Sequence, residues 1–326
     1  MKVTIFGAGA FGTALGNILV ENGHTIEYYD PVKYPEKGLT SAIVGSDIYL
    51  LAVPSSAAPK LLLFLPHDKP LICSSKGFLT AASFKPFQNF SVLSGGAFAA
   101  DLNAKNDTVL TATSPLIRQL FETSWLKFDQ TDDTTGVMIC GALKNIYAIG
   151  SGYWGLKYGT TDFDDYINSC LDEMRIILKA NDSKPETVDL SCGLRDLVIT
   201  CASPTSRNYD FGSKLKKDPE LGEKVMSGKV KTGTVEGLGA IKAIPRTPSF
   251  TKPYNTPILD RIIALVNNEP IISTVTGEEQ NAVQPVADPN QPVADPNQPT
   301  ADPNQQPAAN QQPAPEPQQP AVEPQQ

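Results

Sequence analysis

The chain opens with Lys2-Val3-Thr4-Ile5-Phe6-Gly7-Ala8-Gly9-Ala10-Phe11-Gly12-Thr13-Ala14-Leu15, and this stretch decides how the first half folds. Lys2–Phe6 reads as a strand, and Phe11, Leu15, Ile18 and Leu19 then recur on one helical face, so the glycines fall at a strand-to-helix turn. In that setting Gly7 permits the tight turn, Gly9 lets a pyrophosphate approach the backbone, and Gly12 lets helix and strand pack closely. The helix N-terminus then faces the phosphates. A G-x-G-x-x-G string alone also fits a turn that simply needs glycine; the flanking strand and helix favour the dinucleotide. Four glycines in the first sixteen residues argue against a secretory signal. Asp30 closes the second expected strand, 18 residues past Gly12, where a carboxylate can accept bonds from ribose hydroxyls and repel a 2′-phosphate. The expected cofactor is therefore NAD, with NADP left open. A turn-forming Asp before Pro31 is the plainer alternative for this residue.

Outward from this turn, Thr25–Tyr29, Asp47–Val53, Pro70–Ser74, Phe90–Leu93 and Thr108–Thr113 read as further strands separated by helical segments. The alternation predicts an α/β fold, a Rossmann-type doubly wound parallel sheet over residues 1–134. From Thr135 the pattern changes to longer helical stretches, including Ile139–Ile149 and Tyr166–Leu178, which predicts an all-helical second domain over 135–276. Residues 277–326 differ again. They hold twelve of the 28 prolines and seven carboxylates without a Lys or Arg, and repeat Gln-Pro-Val-Ala-Asp-Pro-Asn every seven residues. Two prolines per repeat and no large apolar residue forbid a coiled coil and predict an extended, disordered tail.

Of the net charge of −8, the tail carries −7 and the preceding 276 residues only −1. A nearly neutral body lacks the broad basic surface of a nucleic-acid binder. Apolar runs such as Leu61–Leu65 fall far short of the roughly 18 residues of a membrane span. Five cysteines without C-x-x-C spacing fit neither a disulfide framework nor a zinc site, so a reducing, cytoplasmic compartment is expected. Only His24 and His67 are available, and no metal site is expected.

A bound nicotinamide implies hydride transfer, and reduction of a carbonyl needs a proton donor. His24 precedes the second strand and His67 sits in a Pro-flanked loop, so neither is persuasive. Two lysines stand out: Lys76, after the fourth strand at the carboxyl edge of the sheet, and Lys144, in an otherwise apolar helix. Taken alone, each is more often a solvated or snorkelling lysine.

Gly7–Leu15, Ser75-Lys76-Gly77, Leu93-Ser94-Gly95, Gly141–Asn145, Gly193–Cys201, Ser206-Arg207-Asn208 and Val235-Glu236-Gly237 together resemble the ordered motifs of NAD(P)-dependent glycerol-3-phosphate dehydrogenases of the bacterial, soluble type. The resemblance covers Met1 to about Asn268. It implies that Lys144 is the general acid on dihydroxyacetone phosphate and the base on glycerol 3-phosphate, with Lys76 and Asp196 as the other catalytic residues. It implies substrate contacts from Lys76, Gly95, Asn145, Thr200, Ser206, Arg207 and Asn208. Cofactor contacts would come from Gly7, Gly9, Ala10, Phe11, Gly12, Asp30, Lys76, Ala99, Arg207 and Glu236. The partner it implies is a small phosphorylated three-carbon substrate, feeding glycerophospholipid synthesis. Without the family motif, Arg207 and Asp196 read equally well as a structural ion pair.

The chain also departs from the family. The stretch between Asp30 and Asp47 is short, no basic residue after the second strand is evident, and Gly95-Gly96-Ala97-Phe98-Ala99 lacks a hydroxyl expected near the substrate. Ser169-Cys170 replaces Arg-Gly ahead of Asp172-Glu173-Met174. Two alternatives remain: a lysine-using reductase of a β-hydroxy acid or ketopantoate-like substrate, and a non-catalytic NAD-binding sensor or scaffold. A homodimer and a partner for the tail stay open.

Overall fold

The computed structural model describes residues 1–77, 84–244 and 255–270. The tail expected over 277–326 lies outside them. Seven strands, β1 (Lys2–Phe6), β2 (Thr25–Tyr29), β3 (Ile48–Leu51), β4 (Leu71–Cys73), β5 (Phe90–Ser94), β6 (Thr108–Ala112) and β7 (Leu126–Gln130), form one sheet in the order β2-β1-β3-β4-β5-β6-β7. β2 and β3 flank β1 on opposite sides, with Val3 opposite both Ile26 and Ile48, so the winding reverses between β1 and β3. The crevice at the carboxyl ends of strands around such a reversal is where open α/β sheets bind ligands.

Two features depart from the sequence expectation. β7 is an additional strand, although Leu126-Lys127-Phe128-Asp129 alternates with the period of a half-buried edge. The sheet is also not wholly parallel: β6 runs antiparallel to β5, pairing Leu93 with Ala112 and Ser94 with Thr111, and β7 then runs parallel to β6. The reversal sets Thr111 and Asp129 beside the turn Ser191–Arg195. Asp129 Oδ2 accepts from the Ser191 backbone N–H at 2.7 Å, and Thr111 Oγ1 accepts from that of Cys192 at 2.9 Å.

The strands alternate their side chains between two apolar layers. Val3, Ile5, Leu50, Ile72, Leu93 and Leu110 meet Ala14, Leu15, Ile18 and Leu19 of the first helix, Ala10–Glu21, on one face. Phe6, Tyr49, Leu51, Cys73 and Val92 lie in the layer that includes the helix Thr134–Trp154. Sixteen of that helix's 21 residues are buried, so it is a core helix rather than an amphipathic one. Asp133 caps its start by accepting from the Gly136 N–H at 2.8 Å. Gly155, at φ +72°, ends it.

Around this axis pack the helices Thr161–Ala180, Asp196–Ala202, Arg207–Lys217, Glu236–Ala243 and Pro257–Asn267. Glu173, buried, accepts from Tyr147 Oη at 3.0 Å and from the backbone N–H groups of Ile258 (2.6 Å) and Leu259 (3.0 Å), joining three helices. Burial pushes its carboxyl up to about 7 against those three donors. The helices Thr134–Trp154 and Arg207–Lys217 touch backbone to backbone, because a Cβ at Gly212 would collide with the Ile149 carbonyl.

That close crossing sets where Arg207 and Asn208 stand over the helix of Lys144. Gly212→Ala should lower stability by about 1–3 kcal/mol as an overpacking substitution. Gly239→Ala, in a helix with no atom within 4 Å of the new Cβ, should be neutral or stabilising. Urea midpoints would check this, and equal midpoints for the two variants would contradict the crossing.

Candidate active site

Three charged side chains converge where the sheet meets the helices. Lys76 follows β4, Lys144 lies midway along the core helix, and Asp196 begins the helix Asp196–Ala202 after the π-helical turn Ser191–Arg195. Asp196 is only 1% exposed. Its Oδ1 accepts from Lys144 Nζ at 2.8 Å and its Oδ2 from Lys76 Nζ at 2.6 Å. Thr200, one helical turn on, accepts from Lys144 Nζ at 2.8 Å and donates to the Asp196 carbonyl at 2.6 Å. Lys76 also donates to the Gly95 carbonyl at 3.1 Å. Each partner of this cluster is thereby held in one geometry.

Lys144 is buried and Lys76 one-fifth exposed, so the second ammonium lies nearer solvent. Burial is the chief cause that lowers the Lys144 pKa to about 8; Asp196 pulls it upward and the charge of Lys76 pushes it down. An ammonium near that value can both give and take a proton around neutral pH.

A second chain of bonds runs beside the first. Asn145 donates to the Gly141 carbonyl at 3.0 Å and accepts from Asn208 Nδ2 at 2.9 Å, and Asn208 Oδ1 accepts from the Gly237 N–H at 3.0 Å. Asn208, expected as a neutral substrate donor, thus spends its carbonyl and one N–H on the scaffold. Ser206 is buried at the N-cap of the helix that Arg207 starts. Arg207 is exposed and forms no ion pair among the described residues, so the alternative of an Asp196–Arg207 pair does not hold. Arg207 stands near Glu236. Burial raises the Glu236 pKa, while a 2.9 Å bond from Ser55 Oγ and the Arg207 charge oppose that rise. Sequence reasoning missed Ser55; its place just past β3, at the winding reversal, was the available signal.

The glycine turn sits at the carboxyl end of β1. Gly7 adopts φ +99°, and a Cβ there would meet the Ala52 carbonyl oxygen at 2.6 Å, so the loop is pressed onto the β3 side. A Cβ at Gly9 would meet nothing within 4 Å, and the helix that follows has neither a capping side chain nor an acidic residue in its first turn. Its first N–H groups are left for an anion, which fits the pyrophosphate of a dinucleotide. Ala10 is exposed, and Phe11 and Ala99 pack on one shared cluster beside it.

Asp30 serves both the turn and the loop. Its Oδ1 accepts from Val32 and Lys33 N–H groups at 3.0 and 3.1 Å, and its Oδ2 from the Ala8 N–H at 2.9 Å. Burial pushes its pKa up, and these three donors outweigh that and hold it low. A basic residue does follow the second strand, contrary to the sequence reading: Lys33 Nζ donates to the Ala8 carbonyl at 3.2 Å, on the glycine loop itself. The short turn after Asp30 hid it, because the side chain folds back only when the backbone reverses there.

A glycine turn that fits a dinucleotide pyrophosphate and a buried lysine with a lowered pKa are the parts a nicotinamide-dependent dehydrogenase requires, one for its hydride carrier and one for the proton, and that is the class they define. Residues 133–276 match the family described as NAD-dependent glycerol-3-phosphate dehydrogenase C-terminus. Glycerol-3-phosphate dehydrogenase [NAD(P)+] of Staphylococcus aureus is 30% identical over 291 residues, spanning 74% of this chain and 87% of that protein. The crystal structure of glycerol-3-phosphate dehydrogenase from Coxiella burnetii superposes with a TM-score of 0.69 at 23% identity, over 82% of this chain and 94% of that one. The Saccharomyces cerevisiae enzyme superposes at 0.65 with 17% identity, over 83% and 97%. The chain belongs to the NAD(P)-dependent glycerol-3-phosphate dehydrogenase family.

Asp30 and Lys33 both bond the glycine loop at Ala8, and toward a 2′-phosphate a carboxylate repels where an ammonium attracts. Lys33→Glu should weaken NADPH binding by at least about tenfold, the equivalent of about 1.4 kcal/mol, and leave NADH binding within about a factor of two. Fluorescence titration with both cofactors measures this, and equal effects on the two would remove Lys33 from the ribose site.

Proposed function

We propose that this enzyme interconverts dihydroxyacetone phosphate and sn-glycerol 3-phosphate, with Lys144 as its acid and base. The observation that carries the reading is the Asp196 carboxylate gripping two lysines, one of them buried with a pKa of about 8. When bound, the nicotinamide cofactor supplies the hydride to the carbonyl carbon or takes it back. Lys144 Nζ gives its proton to the carbonyl oxygen as charge develops there, and recovers one from the alcohol in the reverse direction. Lys76 adds a positive charge that stabilises the developing alkoxide. Asp196 and Thr200 fix the Lys144 ammonium so that one N–H is left for the substrate. Arg207, exposed at a helix start, offers a planar fork to the phosphate.

On this reading residues 1–134 hold the dinucleotide and 135–276 bring the proton donor and most of the substrate groups. The product suits glycerophospholipid synthesis. Five free, buried cysteines support a reducing cytoplasm as the place of work. Among the described residues no helix is long and apolar enough to cross a membrane.

The direct test follows NADH loss with dihydroxyacetone phosphate. Lys144→Ala should lower kcat by at least about 10²-fold while NADH still binds. Reduction needs protonated Lys144, so its rate should fall as pH rises through about 8, and oxidation should rise through the same value. No turnover of dihydroxyacetone phosphate, with turnover of a β-hydroxy acid or ketopantoate, would transfer the enzyme to the alternative reductase class. Arg207→Lys should raise the substrate KM by the equivalent of about 1–3 kcal/mol and leave the KM for NADH unaffected if the fork serves phosphate alone.

A further inference from the structure

Ser94 is the last residue of β5, adjoining the Gly95 carbonyl that holds Lys76. It is 4% exposed, and its hydroxyl has no hydrogen-bond partner among the described residues. Such a group is costly to keep unless something else bonds it. Its surroundings point the same way. The hydroxyl faces Gly141, one helical turn before Lys144. A Cβ built on Gly141 would lie 3.5 Å from Ser94 Oγ and 3.8 Å from Lys76 Cγ, with no clash. The helix could therefore carry an alanine at this position, which its propensity would favour, yet glycine leaves a recess the size of a methyl group between an orphan hydroxyl and the stem of Lys76.

We propose that Ser94 is a substrate-contacting residue, whose hydroxyl and the adjoining Gly141 recess receive the hydroxymethyl end of the three-carbon keto phosphate. This assignment rests on the reaction proposed above. It gives the loop Gly95-Gly96-Ala97, which carries no side-chain hydroxyl, a hydroxyl one residue upstream. The phosphate of the substrate then points away from this recess, toward the exposed Arg207, and the carbonyl lies between the two ends, within reach of Lys144. A ketone without the terminal hydroxyl fills the recess but leaves Ser94 unbonded, so Ser94 contributes selectivity as well as affinity.

The test compares wild type, Ser94→Ala and Gly141→Ala with dihydroxyacetone phosphate and with hydroxyacetone phosphate, which lacks the terminal hydroxyl. Ser94→Ala should raise the KM for dihydroxyacetone phosphate about fivefold, the worth of one neutral hydrogen bond, with the KM for NADH unchanged. It should also erase most of the preference for dihydroxyacetone phosphate over hydroxyacetone phosphate. Its Tm should equal or exceed that of wild type, because an unbonded buried hydroxyl is removed. Gly141→Ala should raise Tm and still lower kcat/KM at least about fivefold with both ketones, since the recess is filled. An unchanged KM and unchanged selectivity in Ser94→Ala would overturn the proposal, and so would a lowered Tm with equal losses for NADH and ketone. If wild type neither turns over dihydroxyacetone phosphate nor is thermally stabilised by it, the reaction assignment itself fails and this proposal falls with it.

Discussion

The Asp196 carboxylate, buried and shared by two ammonium groups, is the contact on which the rest of the molecule depends. A lone carboxylate at that depth would be expensive, and so would either lysine; together they satisfy one another through bonds of 2.6 and 2.8 Å. The arrangement also ties three parts of the chain to one point: the loop after β4, the core helix and the helix that starts at Asp196. Because Lys144 lies inside, its pKa falls to about 8, and because Asp196 is bonded to it, it falls no further. Removing either lysine would leave the carboxylate half-answered.

The reversed strands at the sheet edge make sense in this light. β6 and β7 carry no group of the cluster, yet Thr111 and Asp129 hold the backbone of the turn that delivers Asp196, and Ser191 Oγ donates to the Val109 carbonyl at 2.5 Å. Arg195, just before Asp196, donates to the Gly96 carbonyl at 3.1 Å, so the turn is fastened to the loop after β5 as well. The edge strands act as a template for a helix start. On the other side, Asp133 caps the core helix and also accepts from the Lys184 N–H and the Thr187 hydroxyl, fixing the segment that leads into the same turn.

Much of this could be read from residue order, and the reasons differ by element. Lys2–Phe6 and Thr25–Tyr29 were legible because alternation and bounding glycines mark them unambiguously. The core helix was legible because an apolar run interrupted by a single lysine is rare enough to notice. The direction of β6 was not: a strand's sequence carries its pleat but not its orientation, which the length and course of the connection decide. Lys33, Ser55 and the Asn145–Asn208 bond were hidden for a related reason. Each depends on two segments distant in sequence, or on a backbone reversal, that composition and spacing do not encode. Asp30 illustrates the intermediate case, since its alternative reading as a turn residue and its proximity to the glycine loop are both true of one carboxylate.

Two of the bonds that cross from the sheet to the helices are unequal, and this bears on which part of the boundary yields first. At the Lys76–Asp196 contact the crossing is charged, buried and reinforced by Gly95; at Ser55–Glu236 it is one hydrogen bond between a hydroxyl and a half-buried carboxyl. A single bond to a charged group is worth about 1.5–3 kcal/mol at most, less where water competes, so it opens and reforms through ordinary thermal motion. The boundary is therefore stiffest at Asp196 and most yielding at Glu236, so the Lys76–Asp196–Lys144 geometry is the last to be lost when the two sides loosen.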